Sequence, residues 1–228
     1  GCPHFTGRLI RGVKNGPSPA WLQARLKAIG LRPISALVDI TNFFTYDQNR
    51  PLHVFDADIV QGDLSIRWVD APTEFAGLDD KTYTAQPGMM GIYDDAGLES
   101  IAGCLGGVHS GCTEATVNVF LESAYWDPVT IAATARQLKL SSDAKYRFER
   151  GVDPDFTLPG LDAATQMILD LCGGEASELV QDGAPLDMTR AYKLDTDRVA
   201  SLVGMEISGE TQRATLEALG FTLDGDMA

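Results

Sequence analysis

The sequence predicts an α+β fold, and three observations carry that expectation. Short segments of strand character cluster between residues 64 and 123, and glycines from Gly62 to Gly111 punctuate them. Segments with helical periodicity lie before and after this stretch rather than between its strands. The order therefore lacks the regular strand–helix alternation of a doubly wound sheet.

Taken in order, residues 5–13 alternate well enough for a strand, and Asn15-Gly16 predicts a turn. Ser18 as N-cap and Pro19 at the first helical position open a helix with the apolar stripe Leu22, Leu26 and Ile29, which Gly30 stops. After Pro33, the residues Ile34, Leu37, Val38 and Thr41 recur at helical spacing up to Tyr46, which places Asp39 and Asn42 on one face. Residues 48–51 break the chain, and Leu52-His53-Val54-Phe55-Asp56 follows. Strands are expected at 64–69, 82–84, 89–93 and 117–123, and helices at 129–138 and 161–172, the last closed by Gly173-Gly174. Asp182-Gly183-Ala184-Pro185 looks like a linker. Beyond it come helices at 196–203 and 211–219 and a short strand at 221–223, the beginning of a second domain.

Composition bounds the function. The chain has 228 residues, 44% hydrophobic and 22% charged, which excludes disorder as the main state. No apolar run approaches the ~18 residues of a membrane span, and nothing at Gly1 resembles a secretory leader. The missing initiator Met and the ending Asp226-Met227-Ala228 suggest an excised piece of something longer. A net charge of −14 opposes a freestanding nucleic-acid binder, though not a module that meets only the tip of an RNA. Cys2, Cys104, Cys112 and Cys172 include no CxxC pair, so reduced, packed thiols are expected rather than disulfides or zinc. Together with His4, His53 and His109 they make a scattered metal site conceivable, with only Cys2-Pro3-His4 closely spaced.

Four features could carry chemistry. Ala102-Gly103-Cys104-Leu105-Gly106-Gly107 lacks the P-loop Lys and the dinucleotide spacing. Its glycines serve either a turn or bulge or the close approach of a ligand to backbone. Glu122 shares a strand face with Asn118 and Phe120, opposite Val119 and Leu121, so it is either a solvated strand end or a buried carboxyl awaiting a partner. His53, bracketed by Pro51, Leu52, Val54 and Phe55, is either a packed histidine or a general acid–base group, with Thr41-Asn42 as nearby hydrogen-bonding groups. The charges in 147–154 fit an ion-pair network closing a loop, or arginines contacting phosphate.

Five segments, in order, resemble the central editing module of the bacterial phenylalanyl-tRNA synthetase β subunit. Residues 32–43 (Arg32-Pro33-Ile34 through Val38-Asp39-Ile40-Thr41-Asn42-Phe43) are similar to that family's RPINNVVDVTNY helix. Residues 50–56 resemble QPLHAFD, and residues 101–107 resemble LAGVMGG. Leu121-Glu122-Ser123-Ala124 and residues 146–154 match it almost verbatim. The likeness covers roughly residues 1–185.

The resemblance implies a three-layer module, residues 1–187, with an unusual β-sandwich flanked by helices. A truncated start of the subunit's next small helical module would follow at 188–228. It implies hydrolysis of tyrosine wrongly esterified to tRNA(Phe). Carried over position by position, the catalytic residues are His53, Asn42 and Thr41, and the substrate-binding residues are Glu122, Gly103, Gly106 and Ala102. Glu122 would accept the phenolic hydrogen bond as a carboxylate, and Gly103 and Gly106 would let the substrate ring lie against backbone.

The implied partners are the α subunit, in a heterotetramer of two α and two β chains, and the acceptor end of tRNA(Phe), with no DNA and no membrane. ATP and magnesium would serve the whole enzyme, with no cofactor or metal in this segment, and the implied location is the cytoplasm. A non-catalytic spacer is the alternative. The departures are Ser35-Ala36 for the paired asparagines, Arg50 for Gln, Val54 for Ala, and Asp143-Ala144-Lys145 where a serine pair is usual. None falls on a carried-over site residue.

Overall fold

A computed structural model describes residues 1–225 and divides the chain into two compact units, residues 1–186 and residues from 187 onward. The first unit is α+β in three layers. Its central sheet is antiparallel. Strand β1 (His4–Arg11) pairs on one side with β9 (Asn118–Tyr125), which in turn pairs with β2 (His53–Asp56). On its other side β1 pairs with β10 (Glu175–Ala176) and β11 (Val180–Gly183). Strands β3 (Ser65–Trp68), β6 (Met90–Tyr93), β7 (Leu98–Ile101) and β8 (Leu105–Gly106) make a second sheet in that order. Strands β4 (Thr73–Ala76) and β5 (Thr82–Ala85) form a separate hairpin.

Period-two alternation assigns the two faces of the central sheet. Ile10, Val54, Val119 and Leu121 point to one side, against helices α1 (Ala20–Ala28), α2 (Ala36–Asp47) and α5 (Thr157–Cys172). Phe5, Phe55 and Phe120 point to the other, against the second sheet and helix α3 (Pro128–Leu138). A short helix α4 (Asp143–Phe148) follows α3 and is N-capped by Ser142, whose side chain accepts from the backbone N–H of Lys145.

Several local expectations change in the folded chain. Ser18 does not cap α1. Its hydroxyl donates instead to the buried carboxylate of Asp39, which also accepts from the backbone N–H of Ile34 at 2.9 Å. Asp39, fully buried, is therefore a clamp between two segments. Asn15-Gly16 lies in an irregular connection rather than a turn; the Asn15 side chain bridges to the carbonyl of Thr113 at 2.8 Å. Helix α5 starts four residues earlier than expected, because Pro159 falls within its first turn, where a missing N–H costs nothing.

Half of the expected linker is a strand. Asp182 and Gly183 belong to β11, and Gly183 sits at φ +72 with a Cβ position already filled by the Pro3 backbone. Strands β2, β4, β7, β8, β10 and β11 and helix α4 lie outside the elements expected from the sequence, being two to six residues long and without a full period to read.

In the second unit, α6 (Thr196–Val203) is capped by Asp195 and stopped by Gly204 at φ +69. Helix α7 (Gly209–Ala218) is capped by Ser208. The strand expected at 221–223 is absent, with only a bridge residue at Asp224. No helix among the described residues is long and apolar enough to cross a membrane.

Candidate functional site

Helix α2 builds one wall of a cavity of about 310 Å³. Its residues Val38, Thr41, Asn42 and Thr45 recur at i, i+3, i+4 and i+7, so all four face the opening, while Leu37, Ile40 and Phe44 pack into the core behind. Val38 and Thr45 were not singled out from the sequence, although this same spacing identifies them. The Thr41 hydroxyl donates to the Val38 carbonyl at 2.9 Å and so stays oriented on the wall. The Asn42 side chain makes no hydrogen bond to the protein among the described residues.

Strands β2 and β9 supply the floor. Their antiparallel register sets His53 directly opposite Glu122 on the face turned away from α2's core side. Glu122 is 6% exposed, which settles the choice between a solvated strand end and a buried carboxyl. Among the described residues neither His53 Nε2 nor Glu122 Oε2, both buried, has a hydrogen-bond partner. Burial holds each group neutral: it pushes the His53 imidazole down to about 4 and the Glu122 carboxyl up to about 8. The carboxylate expected from the sequence is thus a protonated carboxyl at neutral pH.

The glycine segment closes the cavity from the second sheet. Gly103 and Gly106 both line it, and in the direction a Cβ would take each meets another side chain. A Cβ on Gly106 would lie 2.3 Å from Cε1 of His53, and one on Gly103, at φ +66, would lie 2.7 Å from Ile131 and 2.8 Å from Trp126. In the Cβ direction these glycines make room for His53 and for the core. The edge of the His53 ring meets Phe55, with centroids 4.4 Å apart, so the imidazole is fixed from two sides. Ala102 is not part of the lining. It is 1% exposed in the core beneath, with its N–H donating to Met90 at 3.0 Å.

Ser142 joins the rim to the glycine segment by donating to the Cys104 carbonyl at 2.6 Å, a contact with no sequence signal beyond a helix cap. Next to it the 147–154 charges form the ion-pair arrangement. Glu149 takes Lys145 at 2.8 Å and Arg150 at 2.6 Å, and Arg147 lies 4.4 Å over the ring of Tyr46. The four cysteines are free, and burial pushes Cys2, Cys104 and Cys112 up to about 12, as packed thiols require.

Residues 1–173 match the family described as the B3/4 domain. The phenylalanine–tRNA ligase β subunit of Cereibacter sphaeroides is 68% identical over 228 residues, covering 100% of this chain and 28% of that protein. Its counterpart in Ruegeria pomeroyi is 67% identical over the same length, 29% of that protein, and the one in Paramagnetospirillum magneticum is 59% identical over 219 residues. The chain thus spans less than a third of the length of the curated relatives it matches. An N-terminal fragment of the phenylalanyl-tRNA synthetase β subunit from Pyrococcus horikoshii is similar at 13% identity with a TM-score of 0.46, covering 100% of this chain and 64% of that one.

Proposed function

Taking as premise that this chain belongs to the B3/4 domain family, we propose that it is a segment of a phenylalanyl-tRNA synthetase β subunit and that its cavity hydrolyses tyrosine misattached to tRNA(Phe). The observation that carries the reading is the orphaned pair on the cavity floor. A buried polar atom without a partner costs roughly 1–3 kcal/mol, and here two such atoms, His53 Nε2 and Glu122 Oε2, belong to residues that face each other in register. A ligand with one hydroxyl and one ester supplies what each lacks.

Tyrosine and phenylalanine differ by that hydroxyl alone, and an apolar pocket rejects such an isostere poorly. The neutral Glu122 carboxyl both donates and accepts, so a phenol satisfies it and a phenyl ring leaves it desolvated and unpaired. His53, neutral and pinned between Gly106 and Phe55, holds a water or the ester through Nε2, with Asn42 and Thr41 on the adjacent wall. An imidazole with so low a pKa is a weak general base at neutral pH, so its role is chiefly to orient. Water adds to the ester carbonyl carbon, the bond to the ribose oxygen breaks, and that oxygen takes the proton the water gives up. Tyrosine and a free tRNA hydroxyl result.

In the whole enzyme, the α subunit, ATP and magnesium serve aminoacylation at a different site, and the acceptor end of the tRNA brings the misacylated residue here. The heterotetramer and the cytoplasmic location belong to the same reading. The test is deacylation of preformed Tyr-tRNA(Phe) by the α subunit reconstituted with full-length β. Glu122→Ala and His53→Ala should lose clearance while Phe-tRNA synthesis continues. Clearance equal to the unsubstituted enzyme in both would reduce the module to a spacer.

A further inference from the structure

A second polar cluster lies on the opposite side of β7 from the cavity. Three segments bring it together: Asp94 from the loop after β6, Glu99 from β7, and His109 from the loop between β8 and β9. One donor atom from each lies within 4.8 Å of the others, and His109 Nδ1 is 2.9 Å from Glu99 Oε1. A tetrahedral ion with bonds of about 2.0–2.2 Å holds its ligand atoms about 3.3–3.6 Å apart, a spacing between those two limits.

The donors differ in how firmly they are held. The backbone N–H groups of Ala96 and Gly97 donate to Asp94 Oδ1 and that of Gln61 to Oδ2, at 2.8–2.9 Å, which fixes the carboxylate and leaves acceptor capacity on Oδ2. Glu99 is 2% exposed, and its Oε2 is buried with no hydrogen-bond partner among the described residues. Two acidic side chains, one of them with an unsatisfied buried oxygen, call for positive charge beyond a single imidazole. His109 is about half exposed and can swing to admit an ion.

We infer that Asp94, Glu99 and His109 form a binding site for a borderline divalent transition-metal ion of the zinc class. One nitrogen and two carboxylate donors suit such an ion better than Mg²⁺ or Ca²⁺, which take all-oxygen shells of six or more. Three protein ligands leave a position for water. The ion acts as a clip, because Gly111 and Cys112 of the His109 loop line the cavity, so binding His109 anchors that wall. The site rests on these residues alone and stands or falls apart from the hydrolysis reading.

The test titrates the metal-free full chain with Zn²⁺ by calorimetry and with Co²⁺ by visible absorption, with Mg²⁺ as comparison. One equivalent of Zn²⁺ should bind. His109→Ala and the isosteric Glu99→Gln should each weaken it at least tenfold while leaving the circular dichroism spectrum unchanged. Bound Zn²⁺ should slow amide exchange in residues 107–112. No stoichiometric Zn²⁺ binding, affinity unchanged in both variants, or equal affinity for Mg²⁺ would overturn the assignment and leave His109–Glu99 as an ion pair only.

Discussion

His53 and Glu122 face each other across the β2–β9 ladder, 69 positions apart in sequence, each with a buried polar atom that no group among the described residues satisfies. Directly opposed residues in an antiparallel pair have Cβ atoms about 4.5–5.5 Å apart, so one ligand in the cavity can meet both. An apolar pair at these two positions would stabilise the floor better, so the polar pair costs stability. Its energetic cost is the origin of the selectivity proposed for the cavity.

The neutrality of Glu122 gives the first prediction. If the carboxyl reads the phenol while protonated, Glu122→Gln preserves a donor and an acceptor, and hydrolysis of Tyr-tRNA by the reconstituted enzyme should fall less than tenfold in kcat/KM. Glu122→Ala removes both and should cost 10- to 100-fold, about 1.4–2.8 kcal/mol. Equal losses in the two variants would mean that a charged carboxylate is needed.

Stability against pH offers a second check. The folded-state pKa of Glu122 is about 8 against an ordinary 4.5, so the folded chain binds the extra proton between those values. Its contribution is fully present below about pH 4.5 and lost as pH rises through 8. His53 runs the other way: its pKa of about 4 lies below the ordinary 6.5, so its contribution is present above 6.5 and lost as pH falls toward 4. The two oppose each other between 4.5 and 6.5. Urea melts should therefore show Glu122→Gln gaining on the unsubstituted chain between pH 5 and pH 8, by up to several kcal/mol. A flat difference would mean that burial does not raise the folded-state pKa of Glu122.

Gly106→Ala tests what fixes the imidazole. The added methyl would overlap the His53 ring, with 2.3 Å to Cε1, at a position whose backbone is otherwise ordinary. A stability loss of about 1–3 kcal/mol is expected from such overpacking. Hydrolysis should fall at least tenfold because the ring is displaced. Unchanged hydrolysis would show that His53 does not have to be held there.

Arg50 stands where the resembled family has Gln, and it is fully buried. Its guanidinium donates to the Ala124 carbonyl at 3.1 Å and to the Asp153 carbonyl, tying the end of β9 to the loop before α5. Burial lowers its pKa to about 10, which still leaves it charged at neutral pH. Arg50→Met strands two carbonyl oxygens and should destabilise the chain by about 2–4 kcal/mol in urea melts. Because Arg50 does not line the cavity, Tyr-tRNA hydrolysis under native conditions should change little.

Much of this architecture was legible locally. The alternation from Val119 to Glu122 put Glu122 on the right face, the stripe of α2 and the stop at Gly30 were readable from spacing, and the motifs at 32–43, 50–56 and 101–107 pointed to the cavity walls. Side-chain periodicity is a property of near neighbours, so sequence carries it. What sequence could not settle was occupancy and charge. Which side chains the absent Cβ atoms of Gly103 and Gly106 make room for, Trp126 and His53, is visible only in the folded chain. Ser18 looks like a cap until Asp39 claims its hydroxyl. Glu122 looks like a carboxylate until burial removes its charge, and Asp94, Glu99 and His109 become neighbours only when a hairpin and a loop fold together. Register, desolvation and the filling of space depend on residues far apart in the chain, and only tertiary packing decides them.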